Sequence, residues 1–173
     1  MRLSTEYSGA RVATTTSASD AGLVRSLGAD VVVDYKAQEF EEVLRDYDAV
    51  LGTVPGKPLE KAIQVLAPKG TIVSLVGPPD AGFGRARHLN ALVVFAMWLL
   101  SRKVHRLARA RDVAYSFLLV HPDGAQLAAI GALLETGTIR PVIDQVFPFD
   151  RAKEALAYLE RGRAKGKIVV QIR

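Results

Sequence analysis

A chain of 173 residues, 49% apolar and 24% charged, is long enough for one domain with a real core and has the make-up of a soluble globular protein. It has no cysteine, which excludes disulfides, cysteine-ligated zinc and a cysteine nucleophile together. The net charge of +5 is uneven, because Arg102, Lys103, Arg106, Arg109 and Arg111 crowd around His105. Such a cluster can meet nucleic acid or anionic lipid, or form the solvated face of a helix. The apolar run just before it, residues 91–100, supplies a core face for the same helix, which favours the solvated reading, and no nucleic-acid partner is expected. That run is half the roughly 20 residues a membrane span needs, so it reads as a buried or interfacial helix. Residues 1–10 carry one Arg and no apolar core, so no secretory signal is expected, and a cytoplasmic location is.

In chain order, residues 11–16 (RVATTT) are β-branched and predict a strand. Ser17 or Ser19 can cap a helix over 21–27, which Gly28 ends. Val31, Val32 and Val33 suit a strand buried on both faces of a parallel sheet. A short helix is predicted over 38–45, a strand over 48–51, a turn at Val54-Pro55-Gly56 and a helix over 58–66. Lys69-Gly70 turns the chain into a strand over 71–76, and Gly77-Pro78-Pro79 breaks it. Beyond lie a helix over 90–111 with a break near Ser101, a strand over 115–120, and an amphipathic helix over 123–135 closed by Gly137. A strand over 141–146, a helix over 151–161 capped by Asp150, and a strand over 167–172 complete the chain. The alternation of strands and helices predicts an α/β fold with a parallel sheet.

In such sheets ligands sit beyond the carboxyl ends of the strands. Thr14 to Ser17 lie at one such end, where an acid would favour NAD; hydroxyls can instead bond a 2′-phosphate, which tilts the reading toward NADP. Threonines are also simply good strand residues, and the pattern alone leaves both readings open. GxGxxG is absent; Gly82-Phe83-Gly84 is a lone GxG with Arg87 at the third position, and reads as a loop. His88, His105 and His121 stand alone, and no HExxH, GxSxG or zinc-ligand spacing exists. Hydride transfer needs no such constellation, because a cofactor carries that chemistry.

Four ordered stretches, residues 10–36, 47–77, 126–156 and 158–170, resemble the zinc-free, NADP-dependent quinone oxidoreductase branch of the medium-chain dehydrogenase/reductase superfamily. The resemblance implies a Rossmann-like doubly wound parallel sheet. It divides the chain into a non-matching segment 1–9, a truncated nucleotide-binding domain 10–140 and a return segment 141–173 that packs on a GroES-like domain. It places Thr16 and Ser17 at the adenosine ribose phosphate, with Tyr35 packing there and Lys36 adding charge. Thr53 and Val54 lie along the cofactor, Val76 and Gly77 near the nicotinamide, and Phe117, Leu118 and Val120 approach it. Ordinary packing would account for some of these residues equally: a strand-end aromatic for Tyr35, an edge strand for the last three. The implied cofactor is NADP(H) without a metal, the implied substrate a small carbonyl or quinone, and the implied assembly a homodimer through the edge strand from Tyr115 to Val120.

The sequence also departs from that family. Asp20 stands where a basic residue is common, and the loop DTVGG reads Gly52-Thr53-Val54-Pro55-Gly56. The first strand, GxGxxG turn and first helix, expected before Ala10, find no counterpart in residues 1–9. Without the central strand, its two neighbours would lack a shared partner, and the pyrophosphate would lose its loop. The expectation is therefore an oxidoreductase by descent that, as this chain, binds NADPH weakly or not at all and is impaired or inactive, with a non-catalytic scaffold or interaction module as the alternative.

Overall fold

The computed structural model describes residues 9–162 and 164–172. Residues 1–8, which hold most of the non-matching segment and of the region read for a signal, lie outside the described residues. The chain divides into two compact units, one holding Ala13–Ser17 and Val32–Pro122, the other Ala18–Val31 and everything from Asp123 on.

The first unit carries the strand ends. β1 (Ala13–Thr16) pairs with β2 (Val31–Asp34) in a two-stranded sheet. Val12 C=O receives Val31 N–H, and Thr16 C=O receives Tyr35 N–H, so the two strands run in parallel. A second sheet has the order β3-β4-β5, with β3 (Tyr47–Gly52), β4 (Leu66–Ser74) and β5 (Ala114–Phe117) all parallel. Val50, Ile72 and Tyr115 stand side by side across it. Ile72 is fully buried and packs with Leu59, Ile63, Val104 and Ala108 from the covering helices. Among the described residues, no strand joins β1 to β3 in one hydrogen-bonded sheet.

Several boundaries differ from the sequence reading. Lys69-Gly70 does not end an element but sits in a bulge within β4: register runs Tyr47 to Leu66 and then Ala49 to Thr71. Lys69 adopts φ 66°, and a Cβ on Gly70 would lie 2.8 Å from the Ala67 carbonyl oxygen. Leu66 opens the strand, so the preceding helix is α3 (Lys57–Ala62) followed by a 3₁₀ turn, Ile63–Val65. The short α2 (Phe40–Val43) is half the expected length. β5 ends at Phe117, three residues short of Val120. α4 (Ala81–Ala86) starts at Asp80, whose carboxylate accepts the Phe83 N–H at 2.7 Å. The lone GxG therefore lies in a helix, not a loop.

α5 (Ala91–Arg109) is unbroken at Ser101. That residue is fully buried, and its hydroxyl donates back to the Met97 carbonyl at 2.8 Å, a bond a helix accommodates without breaking. The expected core face of 91–100 is reduced to Val94 and Met97, half-buried against Gly84 of α4. Only Ser101, Val104 and Ala108 of α5 are buried.

In the second unit, α1 (Ala21–Ser26) begins after a 3₁₀ turn, so its N-cap position is Asp20 and not Ser17 or Ser19. Asp20 pairs with Lys165 at 3.1 Å. Gly28 and Gly137 follow their helices at φ 96° and 71°, the left-handed exit that glycine allows. Asp123 caps α6 (Gly124–Glu135) through bonds to Ala125 and Gln126 N–H. No residue of α6 is buried, and its apolar residues are not confined to one stripe. β6 (Ile143–Pro148) and β7 (Lys167–Gln171) pair in parallel around α7 (Ala152–Glu160). Asp150 falls inside the 3₁₀ turn Phe149–Arg151, and Arg151 takes the cap position.

Ile72→Ala empties the centre of the only core cluster among the described residues. Urea unfolding is expected to show a loss of about 2–5 kcal/mol, with an unchanged m-value.

Candidate functional site

Parallel strands present all their carboxyl ends along one edge, and the functional geometry of the first unit lies there. Gly52, Ser74 and Phe117 close β3, β4 and β5 in matched register. Ser74 organises the loops beyond these ends. Its fully buried hydroxyl accepts the Gly77 N–H at 2.8 Å and the Val76 N–H at 3.4 Å. Its carbonyl accepts the Leu118 N–H at 2.9 Å, and the Gly52 carbonyl accepts the Leu75 N–H at 3.0 Å. Three of the residues expected beside a nicotinamide, Val76, Gly77 and Leu118, are thus tied to one side chain and its backbone. Sequence reasoning misses Ser74; a lone polar residue ending an apolar strand is the available signal.

Glycine is required at this edge for space. A Cβ on Gly77 would meet Tyr115 Oη at 2.5 Å, Ser74 Oγ at 2.7 Å and Leu59 Cδ2 at 2.8 Å. A Cβ on Gly52 would lie 2.8 Å from Leu59 Cδ1. The loop backbone therefore lies directly on the buried ends of β4 and β5. Tyr115, buried beneath it, donates its hydroxyl to the Pro78 carbonyl at 2.8 Å. Burial pushes the phenol pKa up, the Asp80 charge pushes the same way, and the Ser74 hydrogen bond opposes both. The His105 ring stands edge-on to Tyr115 at 5.2 Å, and its Nε2 lies 3.8 Å from Asp80 Oδ2. Phe117 meets Phe83 edge-on at 5.1 Å, which fixes the next loop.

The remaining predicted residues gather at two further loops. Thr16 and Ser17 are half-buried at the end of β1, and Tyr35 and Lys36 are exposed at the end of β2. The bond from Tyr35 N–H to the Thr16 carbonyl, 3.2 Å, holds these ends together. Asp34 Oδ1 accepts the Lys36 N–H at 2.9 Å, and the Lys36 ammonium stands 5.9 Å from the Tyr35 ring centre. An aromatic face, a cation and a hydroxyl thus meet at one strand end. Thr53 and Val54 are exposed in the turn that Gly56 permits at φ 78°. Val120 is not part of the cluster: it lies past β5 and is largely exposed.

A groove on the helices is lined by Lys57, Glu60, Lys61, Gln64 and Arg111. It is wide open and contains no strand end, so the fold does not direct a nucleotide to it. Among the described residues, no three His, Asp or Glu side chains come together as a metal site would need.

Parallel strands with their carboxyl ends on one edge define an α/β domain, and the chain belongs to the zinc-binding dehydrogenase family, whose model matches residues 27–170. Relatives of the chain are named as NAD(P)H, alkenal/one and quinone oxidoreductases. The chain is 32% identical over 169 residues to the mitochondrial NAD(P)H oxidoreductase RTN4IP1 of Danio rerio, covering 95% of this chain and 43% of that protein. It is 30% identical over 169 residues to the chloroplastic NADPH-dependent alkenal/one oxidoreductase of Arabidopsis thaliana, covering 95% of this chain and 34% of that one. The fold matches the quinone oxidoreductase from Coxiella burnetii with a TM-score of 0.75 at 24% identity, over 99% of this chain and 48% of that structure. The chain thus spans less than half the length of these relatives.

Tyr115→Phe leaves the Pro78 carbonyl without its donor and is expected to cost about 1 kcal/mol at neutral pH. Because the folded phenol pKa is raised, the native protein holds its proton where the unfolded chain releases it. The corresponding stability is present below the unfolded phenol's pKa of about 10 and is lost as pH rises from there through the folded value. Unfolding curves taken across this alkaline range should show that loss in the native sequence and a smaller one in the variant.

Proposed function

We propose that this chain is the nucleotide-binding part of an NADP(H)-dependent oxidoreductase that reduces a quinone, enone or aldehyde. The observation that carries this reading is the carboxyl edge itself. Thr16, Ser17, Tyr35 and Lys36 suit an adenosine 2′-phosphate, and Ser74 holds the Val76–Gly77 and Leu118 backbones where a nicotinamide would lie. Lys36 supplies positive charge, Tyr35 a stacking face, and Thr16 and Ser17 hydroxyls, while the Asp34 carboxylate at the same strand end is engaged by the Lys36 amide. Gly77, where no Cβ fits, keeps the backbone close to the ring. The bound dinucleotide would supply hydride from its reduced nicotinamide. This chain's residues would orient that ring and exclude water, with Phe117 and Leu118 forming an apolar wall.

The two ends of the cofactor fit; its middle is served less well. The 173 residues contain no GxGxxG turn to bring N–H groups to a pyrophosphate. Residues 141–173 are proposed to pack on a GroES-like domain of the complete enzyme. Exposed Ile143, Val146 and Phe149 support this, since a free surface seldom gathers such residues. The relatives include mitochondrial and chloroplastic proteins.

Titration of the isolated chain should give an NADPH Kd on the order of 0.1 mM or weaker, tighter for NADPH than for NADH. Lys36→Gln should weaken NADPH about fivefold, the effect of roughly 1 kcal/mol from an exposed charge, and leave NADH unchanged. Micromolar NADPH binding would overturn the weak-binding expectation; equal affinity for the two cofactors would overturn the phosphate assignment; no binding of either would favour a scaffold role.

β5 is the outer strand of its sheet, and Leu118, Leu119 and Val120 beyond it are exposed. We propose that a second copy pairs along this edge. Sedimentation at rising concentration should show a dimer that Leu119→Pro dissociates: the Leu118 amide bonds β4, so the alternating Leu119 amide faces the free edge, and proline removes it. A monomer at all concentrations would contradict it.

A further inference from the structure

α5 changes character along its length. Leu92, Phe95 and Leu99 share the outward face that continues as Arg102, Lys103 and Arg106, opposite the buried Ser101, Val104 and Ala108. Val93, Trp98 and Leu100 are exposed on the flanks of the same three turns. Only Val94 and Met97 are backed by protein there, against Gly84 of α4, where a Cβ would meet them at 3.0–3.1 Å. The first half of α5 is therefore apolar around most of its circumference while standing clear of the core. Leu92 is 79% exposed, Leu100 68% and Phe95 61%.

We infer that this half-helix inserts into the interface of an anionic lipid bilayer. Three observations separate lipid from a folded partner. A protein groove covers one face, whereas fluid acyl chains cover a face and both flanks at once. Ten apolar residues span about 15 Å, far short of a crossing, and exposed Arg87 and His88 lie just before the helix, so the segment lies along the interface and not end-on through a leaflet; no described helix is long and apolar enough to cross a membrane. The apolar turns are followed directly by a basic collar at headgroup depth. Lys103 is held by Glu60 at 2.5 Å, but no described ion pair uses Arg102, Arg106 or Arg109, all exposed. No Asp or Glu occurs anywhere in α5. Trp98, stacked on Phe95 at 5.7 Å, is an interfacial residue by chemistry.

Trp98 is the only tryptophan in the chain, so it reports on this segment alone. The full 173-residue chain is mixed with phosphatidylcholine vesicles containing about one-third phosphatidylglycerol, and with phosphatidylcholine alone. The expected result is a blue shift of Trp98 emission and quenching by bromine-labelled acyl chains, on the anionic vesicles only. The Phe95→Glu/Leu99→Glu variant, altered only at exposed positions, should abolish both while keeping its circular dichroism. The Arg102→Gln/Arg106→Gln/Arg109→Gln variant should lose on the order of a hundredfold in partitioning at low salt, and high salt should erase the difference. An unshifted Trp98 on anionic vesicles would overturn the inference. So would binding untouched by either variant, or a Trp98 already shielded without lipid in a species that sediments as a dimer, which would assign the face to a second copy.

Discussion

A buried hydroxyl at the end of a central strand costs free energy unless it is bonded, and Ser74 meets that demand with the amides of the loop that leaves β4. The same residue receives the Leu118 amide on its carbonyl. One polar group in an apolar strand end therefore fixes two loops from different strands against each other. The rest of the edge depends on this. Gly77 is held so close to Tyr115 and Leu59 that no side chain fits, and Tyr115 is buried with its hydroxyl turned to Pro78. The nicotinamide side of the proposed site is thus built by packing beneath the loop, not by charged groups around it.

The adenosine side is built differently. Tyr35 and Lys36 are exposed at the end of a two-stranded sheet, held mainly by backbone bonds to β1 and to Asp34. Such a surface recognises a phosphate through charge and stacking that solvent weakens. The β1–β2 pair and the β3–β5 sheet remain separate among the described residues. The split follows from elementary pairing: strands that flank a common neighbour bond to it, not to each other.

The strand positions are legible in the sequence because short β-branched apolar runs such as Val31–Val33 favour strands, but only Val33 of the three is buried, so the expected cover on both faces of β2 is not found. Helix ends at Gly28 and Gly137 are legible because a left-handed exit needs glycine. Thr16, Tyr35, Thr53 and Gly77 can be placed by family resemblance, and each falls at a strand end. Ser74 cannot, since its role arises from the register of β4 with β3 and β5. The exposed half of α5 escapes the sequence for the same kind of reason. Apolar composition states a preference for leaving water, but whether core, partner or lipid satisfies it is decided by tertiary placement. The bulge at Lys69-Gly70 reads as a turn in sequence because glycine after a positive-φ residue serves both.

If the carboxyl edge of the first unit is a dinucleotide site, its two ends should be separable. Amide ¹H–¹⁵N spectra recorded with 2′,5′-ADP and then with nicotinamide mononucleotide test this directly, since fragments bind without needing a pyrophosphate loop. The adenosine fragment should move the resonances of Ser17, Tyr35 and Lys36, and the nicotinamide fragment those of Val76, Gly77 and Leu118. Perturbations centred on the helix groove at Lys57, Lys61 and Arg111, or both fragments moving the same set, would contradict it.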